Sequence, residues 1–226
     1  NSKIHFRANP NTSNYDITYH KLEFTVDPAI ADIAGKVTTT FTALDNMNSV
    51  TFDLDDHLTV TNVTQNGNSL SFIQNSNDEL VITLQNVLST GNSTSVSIEY
   101  NGTPISKGFD SFETSVHGNE STPVLWTLSE PYGALDWWPC KQDLNDKIDS
   151  IDVYITAPSQ YISVSNGLEP EAPVINGSQK TTHFHHNYPI PAYLICMAVT
   201  NYDVYTQLPS AATPKVTFPI VNYIYP

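Results

Sequence analysis

The chain has 226 residues, enough for one large all-β domain or for two smaller domains. Its formal net charge is −14, because 23 Asp and Glu residues outnumber nine Lys and Arg residues. This balance argues against nucleic acid and anionic membranes as partners, because both are bound through a basic protein face. The longest apolar stretch, residues 192–199, is also far shorter than the roughly 20 residues that a membrane-spanning helix needs.

Apolar and polar residues alternate through the first hundred positions and again after residue 150. This period of two predicts strands with one buried face and one solvated face. The inward positions are Leu22, Phe24 and Val26; Val37, Thr39, Phe41 and Ala43; Val50, Phe52 and Leu54; Leu80, Ile82 and Leu84; Val96, Ile98 and Tyr100; and Ile151, Val153 and Ile155.

Turn signals and one longer apolar run complete the predicted architecture. Asn66-Gly67 lies between the apolar segments 58–63 and 70–72, as a two-residue hairpin turn requires. The continuous apolar run at 193–199 predicts a strand that is covered on both faces. Because no linker interrupts the pattern, we predict one all-β domain over residues 1–226, built from packed sheets of β-sandwich type that are antiparallel throughout.

The segment 128–149 differs from these regular strands and is the candidate functional loop. It places a lone carboxylate, Glu130, beside Pro131 and Gly133, and two adjacent tryptophans follow. Proline donates no backbone hydrogen bond and glycine is permissive in φ, so we predict an irregular loop anchored by the tryptophans. Loops held in this way often carry function, and Glu130 is the candidate residue.

Two groups of side chains suggest metal binding, and we favour simpler interpretations of both. On a strand, His183 and His185 would share one face, but the local sequence lacks a third ligand. Exposed strand positions on either side of a buried Phe184 explain the pattern. A solvated acidic turn, without the glycine and glutamate spacing of an EF-hand, explains the group Asp143, Asn145, Asp146 and Asp149. We therefore predict no metal site in this chain.

The two cysteines, Cys140 and Cys196, could close a disulfide loop or remain free. We favour free thiols. Cys196 lies inside the apolar run and is predicted to be buried and inert, whereas Cys140 follows a proline in the candidate loop.

The ends of the sequence suggest a trimmed polypeptide. The chain begins at Asn1 without methionine, and its last eight residues, 219–226, are mostly apolar and aromatic, which is unusual for a natural terminus. We expect that more protein follows Pro226. The acidic composition, rich in Asn, Ser and Thr, favours a secreted or periplasmic location.

Four short motifs resemble, in the same order, those of zinc aminopeptidases of the aminopeptidase N and leukotriene hydrolase family. In that family a Glu-Pro-Thr-Asp-Ala segment is followed by Phe-Pro-Cys and then by lysine. The corresponding residues are Glu130-Pro131 with Ala134, Trp138-Pro139-Cys140 with Lys147, Ser165-Asn166-Gly167, and the segment from Pro189 to Leu194. The departures are Leu135 in place of arginine, Gln142-Asp143 in place of Asp-Glu, and Leu144 in place of proline.

The resemblance implies the saddle-shaped N-terminal β-domain of such an enzyme. The catalytic domain and its zinc would be absent from this chain, which would hold no cofactor and hydrolyse nothing alone. Its partners would be its own catalytic domain and the N-terminus of a peptide. Glu130 would contact the free α-amino group, and Pro131, Tyr132 and Gly133 would border the pocket for the first side chain.

Two other functions remain open from the sequence. One is a carbohydrate-binding β-sandwich module that uses Trp126, Trp137 and Trp138 as a stacking platform. In an extended segment, however, the adjacent Trp137 and Trp138 would face opposite ways. The other is an adhesion or scaffold domain without a ligand of its own.

Overall fold

A computed structural model describes residues 9–107, 110–208 and 218–226. Within these residues three 3-10 helices, Pro10–Thr12, Ala134–Asp136 and Ala192–Leu194, accompany the strands, and no helix is long and apolar enough to cross a membrane. The strands are β1 (Tyr15–Asp27), β2 (Ile30–Ala43), β3 (Met47–Asp53), β4 (Thr59–Gln65), β5 (Asn68–Ser69), β6 (Phe72–Asn75), β7 (Glu79–Leu88), β8 (Ser93–Gly102), β9 (Glu113–His117), β10 (Thr122–Trp126), β11 (Ser150–Pro158), β12 (Ile162–Ser165), β13 (Val174–Asn176), β14 (Gln179–His186), β15 (Met197–Thr200), β16 (Asp203–Gln207) and β17 (Ile220–Ile224). The prediction of an all-β fold is confirmed.

The strands form several sheets, of which the largest has the order β13-β14-β11-β1-β2-β8-β4-β5. The other sheets have the orders β12-β15-β10-β9, β3-β7-β6 and β16-β17. Almost all neighbouring strands are antiparallel, but β1 and β11 run parallel in the middle of the large sheet. The prediction of antiparallel pairing throughout is therefore wrong at this one ladder. Parallel neighbours need a long crossover, and here the crossover contains β2 to β10.

The core lies between the inner face of the large sheet and the sheet formed by β3, β7 and β6. Phe52 from β3 lies 5.8 Å from Tyr15 of β1 and 6.5 Å from Phe41 of β2, measured between ring centroids. The alternating residues predicted to point inward are buried, and Thr39 is buried with them. Full burial of an aliphatic or phenylalanine side chain contributes about 1.5–3 kcal/mol to stability.

The opposite face of the large sheet is polar. Hydroxyl pairs join β2 to β8 across this face, with Thr38 and Ser97 2.7 Å apart and Thr40 and Ser95 also 2.7 Å apart. Such pairs stabilise neighbouring strands. A one-residue register shift would place these hydroxyls in the core, so the pattern also fixes the register.

The turn chemistry was predicted correctly, and the continuous apolar run was not. Asn66 and Gly67 connect β4 to β5 with φ of 51° and 79°, as a type I′ hairpin turn requires. Residues 193–199 do not form one covered strand, because a 3-10 helix follows Pro191 and β15 begins only at Met197. Leu194 is exposed as a result.

Candidate functional site

The four predicted site residues form one surface bend in the loop that follows β10. Glu130 and Pro131 are exposed, whereas Tyr132 and Gly133 are half-buried. The peptide bond between Glu130 and Pro131 is cis. The Glu130 carboxylate makes no hydrogen bond or ion pair with any residue of the described chain.

Ser129 closes the bend from beneath. Its backbone oxygen accepts a 2.8 Å hydrogen bond from the Gly133 amide, and its Oγ accepts a 2.9 Å hydrogen bond from the Trp137 indole nitrogen. Ser129 itself is buried. The backbone on both sides of Glu130 is therefore fixed although the carboxylate faces solvent.

Position 133 requires glycine because there is no room for a Cβ atom, and not because of the backbone conformation. Its φ of −91° is accessible to any residue, so the predicted role of glycine flexibility is wrong. A Cβ at this position would lie 2.7 Å from the Ser111 Cβ and 3.3 Å from the Ser129 Cα. The bend is therefore packed against the segment that precedes β9.

Trp137 and Trp138 anchor the loop as predicted, and both are fully buried. Trp137 packs 5.2 Å from the Phe24 ring, and its carbonyl accepts a 2.7 Å hydrogen bond from the Tyr100 hydroxyl. The two indoles do not face opposite ways as they would in an extended segment, because the chain follows a 3-10 helix at 134–136 and the ring centroids lie 6.1 Å apart. Neither ring is available to a sugar, which contradicts the carbohydrate-binding platform.

His20 lies beneath this anchor, fully buried and edge-on to Trp138 with ring centroids 5.2 Å apart. Its Nδ1 lies 2.9 Å from the Thr39 Oγ1, and its Nε2 has no hydrogen-bond partner among the described residues. Burial lowers the pKa of His20 to about 3. The imidazole is therefore neutral in the folded protein at neutral pH.

Within the predicted acidic turn Asn145 and Asp149 are exposed, but Asp146 forms a buried ion pair at the end of the loop. Lys141 donates to the Asp146 carboxylate and, over 2.6 Å, to the carbonyl of Tyr15, and both charged side chains are about 5% exposed. Burial raises the pKa of Asp146 above its usual value, although Lys141 opposes this effect. The Asp146 carboxylate is therefore paired with an ammonium group, and the sequence did not identify Lys141 as its partner.

A further buried group beneath the bend, Asp136, was also missed by sequence reasoning. Asp136 accepts hydrogen bonds from the Ser111 hydroxyl and, over 3.2 Å, from the Lys107 amide. Burial raises the pKa of this carboxyl group. The sequence did not identify Asp136 as a buried residue, because its partners Ser111 and Lys107 come from an earlier part of the chain.

Both cysteines are free, as predicted, but Cys196 is exposed and not buried. Cys140 is fully buried and exchanges two backbone hydrogen bonds with Asp53, of 2.8 and 3.0 Å. Burial, together with the nearby Asp53 carboxylate, raises the pKa of the Cys140 thiol. Cys196 is exposed because the apolar run around it does not form one covered strand.

The recess beside the bend is too small for a substrate side chain. It has a volume of about 10 Å³ and is lined in part by Pro131, Gln142 and Tyr193, so it could hold about one water molecule. Gln142 contributes a buried Oε1 without a hydrogen-bond partner among the described residues. A pocket for a side chain would therefore need walls from outside the described residues.

The histidines of β14 were both predicted to be exposed, which is correct only for His185, and their partners were not predicted. Phe184 is buried between His183, which is half-buried, and His185, which is exposed. Both imidazoles contact the carboxylate of Asp152 on the neighbouring strand β11. This contact supplies the carboxylate that the local sequence lacked.

The family model described as the Peptidase M1 N-terminal domain matches residues 11–194. No significant match is found among curated proteins. Solved structures of M1 zinc metallopeptidases have the same fold. One is a two-domain enzyme in a mutant form bound to L-tryptophan, with a TM-score of 0.76 and 23% identity over 87% of this chain and 45% of that one.

Two further similar structures come from Deinococcus radiodurans. Its M1 zinc metallopeptidase has a TM-score of 0.75 and 24% identity over 87% of this chain and 45% of that one. A mutant of it bound to a Tyr-Ser-Ala substrate has a TM-score of 0.77 and 22% identity over 93% of this chain and 47% of that one. At these identities the likeness establishes the fold alone, and this chain spans less than half the length of those enzymes.

Proposed function

Because this chain belongs to the family of peptidase M1 N-terminal domains, we propose that residues 1–226 form the non-catalytic β-domain of a zinc aminopeptidase. In this proposal Glu130 binds the free α-amino group of peptide substrates. The zinc ion and the hydrolytic groups belong to a catalytic domain, on which the β-domain packs. The chain alone hydrolyses nothing.

The observation that carries the proposal is an exposed, unpaired carboxylate on a rigid bend. Glu130 has no hydrogen bond or ion pair within the described residues, so no internal contact must be broken before it binds a cation. Ser129 and Trp137 fix its backbone from beneath. Because the backbone is already held, binding has to order only the Glu130 side chain, and a charge-assisted hydrogen bond to an ammonium group gains from exclusion of water.

The shallow recess supports a site that two domains share. A volume of about 10 Å³ cannot hold a substrate side chain. We therefore place Pro131, Tyr132 and Gly133 along one border of a pocket whose other walls come from the catalytic domain. A peptide enclosed between the domains would leave its ammonium group partly desolvated, which strengthens its attraction to Glu130.

The test is the substitution Glu130→Gln in the full-length parent enzyme, with hydrolysis of an aminoacyl p-nitroanilide as the assay. We expect kcat/KM to fall about 10- to 100-fold, because the substitution removes one charge-assisted hydrogen bond that contributes about 1.5–3 kcal/mol. Thermal unfolding should be unchanged, because Glu130 has no partner among the described residues. The matched control is Glu120→Gln, since Glu120 is also an exposed acid.

Equal kinetics in Glu130→Gln and wild type would refute the role of Glu130 and would favour the scaffold function. Turnover by the isolated 226-residue chain supplied with zinc would refute the non-catalytic assignment. The two results are independent, so each part of the proposal can fail alone.

A further inference from the structure

A compact group of histidines and carboxylates lies on the polar face of the large sheet. Asp152 of β11 is the register partner of His185 on β14, and Tyr154 is the partner of His183. The Oδ1 of Asp152 lies 2.7 Å from Nε2 of His183 and 2.9 Å from Nδ1 of His185. One carboxylate oxygen therefore contacts a nitrogen of each imidazole.

His183 has a carboxylate at both ring nitrogens. Its Nδ1 lies 2.9 Å from the Oε1 of Glu171, in addition to the contact of Nε2 with Asp152. A neutral imidazole carries one N–H group and one lone pair, so it can donate to only one of the two carboxylates. If the hydrogen is on Nδ1 and is donated to Glu171, the Nε2 lone pair faces Asp152 and can bind a metal ion that Oδ1 also contacts.

Hydrogen-bond partners orient Asp152 and His183, as is usual for side chains that bind a metal ion. The Tyr19 hydroxyl donates a 2.7 Å hydrogen bond to the Oδ2 of Asp152 and leaves Oδ1 facing the histidines. Glu171 can hold the hydrogen on Nδ1 of His183, which leaves the lone pair on Nε2. The His183 ring is also stacked on Tyr154, with centroids 4.1 Å apart.

We propose that Asp152, His183 and His185 bind a divalent transition-metal ion of the zinc class. The ligand atoms are Oδ1 of Asp152, Nε2 of His183 and Nδ1 of His185, a set of one carboxylate and two imidazoles that suits zinc, with water in the fourth position. This site lies on β11 and β14, apart from the bend at Glu130, and does not depend on the proposed function.

Binding requires a small rearrangement of side chains. Among the described residues, only Asp55, Asp56 and His57 already have three ligand atoms within 4.8 Å of one another. At the proposed site His185 must turn toward His183, which its side-chain exposure of 43% permits. The set around His57 is the weaker candidate, because the Lys107 ammonium group already lies 2.7 Å from the Oδ2 of Asp55.

The test measures zinc binding to the 226-residue chain by equilibrium dialysis, with Co²⁺ absorption spectra as a report of coordination by imidazole. We expect one zinc ion per chain at micromolar free zinc. His185→Ala and His183→Ala should each weaken the affinity at least tenfold. Glu171→Gln should weaken it less, because Glu171 only orients His183.

The matched control is His57→Ala, which should leave zinc binding unchanged. Loss of the zinc ion in His57→Ala, or retention of full affinity in His185→Ala, would overturn the proposal. Absence of zinc from the wild-type chain would also overturn it. Circular dichroism would show whether His183→Ala folds. If it does not, His185→Ala still tests the proposal, because His185 is exposed and its loss should not affect folding.

Discussion

Gly133 illustrates how one missing side chain sets the geometry of the bend that presents Glu130. The Gly133 amide and the Ser129 carbonyl are bonded, and the Ser111 side chain occupies the space where a Cβ would stand. Any larger residue must push the bend away from the core. The position of Glu130 therefore depends on a contact that lies beneath it.

We predict that Gly133→Ala destabilises the chain by about 1–3 kcal/mol, the usual cost of overpacking a tight contact. The new Cβ would lie 2.7 Å from the Ser111 Cβ. Urea denaturation of the two proteins measures the difference in the free energy of unfolding. A Gly133→Ala chain as stable as the wild type would contradict this explanation.

Ser111→Gly provides the internal control for this contact, since it removes the Cβ that the new methyl group would meet. In the double variant the two effects should not add. We expect the double variant to be more stable than the sum of the single changes predicts, by about 1 kcal/mol. Additive effects would show that the strain lies elsewhere.

His20 makes the stability of the fold depend on pH. Its pKa is lowered to about 3 by burial, whereas in the unfolded chain it is about 6.5. Below pH 6.5 the unfolded state takes up a proton that the folded state does not bind. The stability present above pH 6.5 is therefore lost progressively as the pH falls toward 3.

We predict that protonation of His20 in the unfolded state lowers the free energy of unfolding by about 2 kcal/mol when the pH falls from 7.5 to 5. Guanidinium denaturation at the two pH values measures the loss. In His20→Phe, whose ring does not titrate, the loss should be smaller by that amount. Comparing the two proteins cancels the contributions of other groups, and an identical pH dependence would disprove the assignment to His20.

At the scale of elements, the candidate loop is held at its far end by a buried ion pair. Lys141 contacts both Asp146 and the carbonyl of Tyr15 at the start of β1, so it ties the loop to the large sheet. Buried pairs of this kind often add little to stability as a whole. Removing one partner is costly, because the other charge stays buried without compensation.

Lys141→Met should therefore destabilise the chain by about 3–5 kcal/mol, as judged from the midpoint of urea denaturation. Lys147→Met is the matched control. Lys147 is exposed on the same loop, and its loss should change stability by less than about 0.5 kcal/mol. Similar effects of the two substitutions would show that the ion pair does not anchor the loop.

The strands could be predicted from the sequence because their faces differ in solvent exposure. Leu22, Phe24 and Val26 alternate with polar residues, and this local pattern is sufficient to define β1. Strand direction could not be predicted in the same way. Ile151, Val153 and Ile155 alternate identically whether β11 runs parallel or antiparallel to its neighbour.

The site could be predicted only where its chemistry is local. Proline, glycine and tryptophan near Glu130 indicated an anchored bend, and the structure has one. The reason for Gly133, the burial of Lys141 and the contact of Asp152 with His183 all depend on residues that are distant in sequence. No single-sequence pattern encodes such contacts.

At the scale of the whole molecule, the two thiols report the packing around the loop and around β15. Cys140 is fully buried and Cys196 is exposed, and the two are not bonded to each other. We predict that one thiol per chain reacts with Ellman's reagent under native conditions and that two react in urea. Cys196→Ser should abolish the native reaction, whereas two slow thiols or none would contradict the structure.

The parallel ladder between β1 and β11 has a consequence for synthesis of the chain. This ladder, from Tyr19–Ser150 to Thr25–Thr156, is the junction in the large sheet between strands from the first half of the chain and strands from the second. A nascent polypeptide emerging from the ribosome therefore has β1 with one edge unpaired until residue 158 has been translated. An open edge invites pairing with other chains, so premature termination before that point should yield aggregates rather than a smaller folded unit.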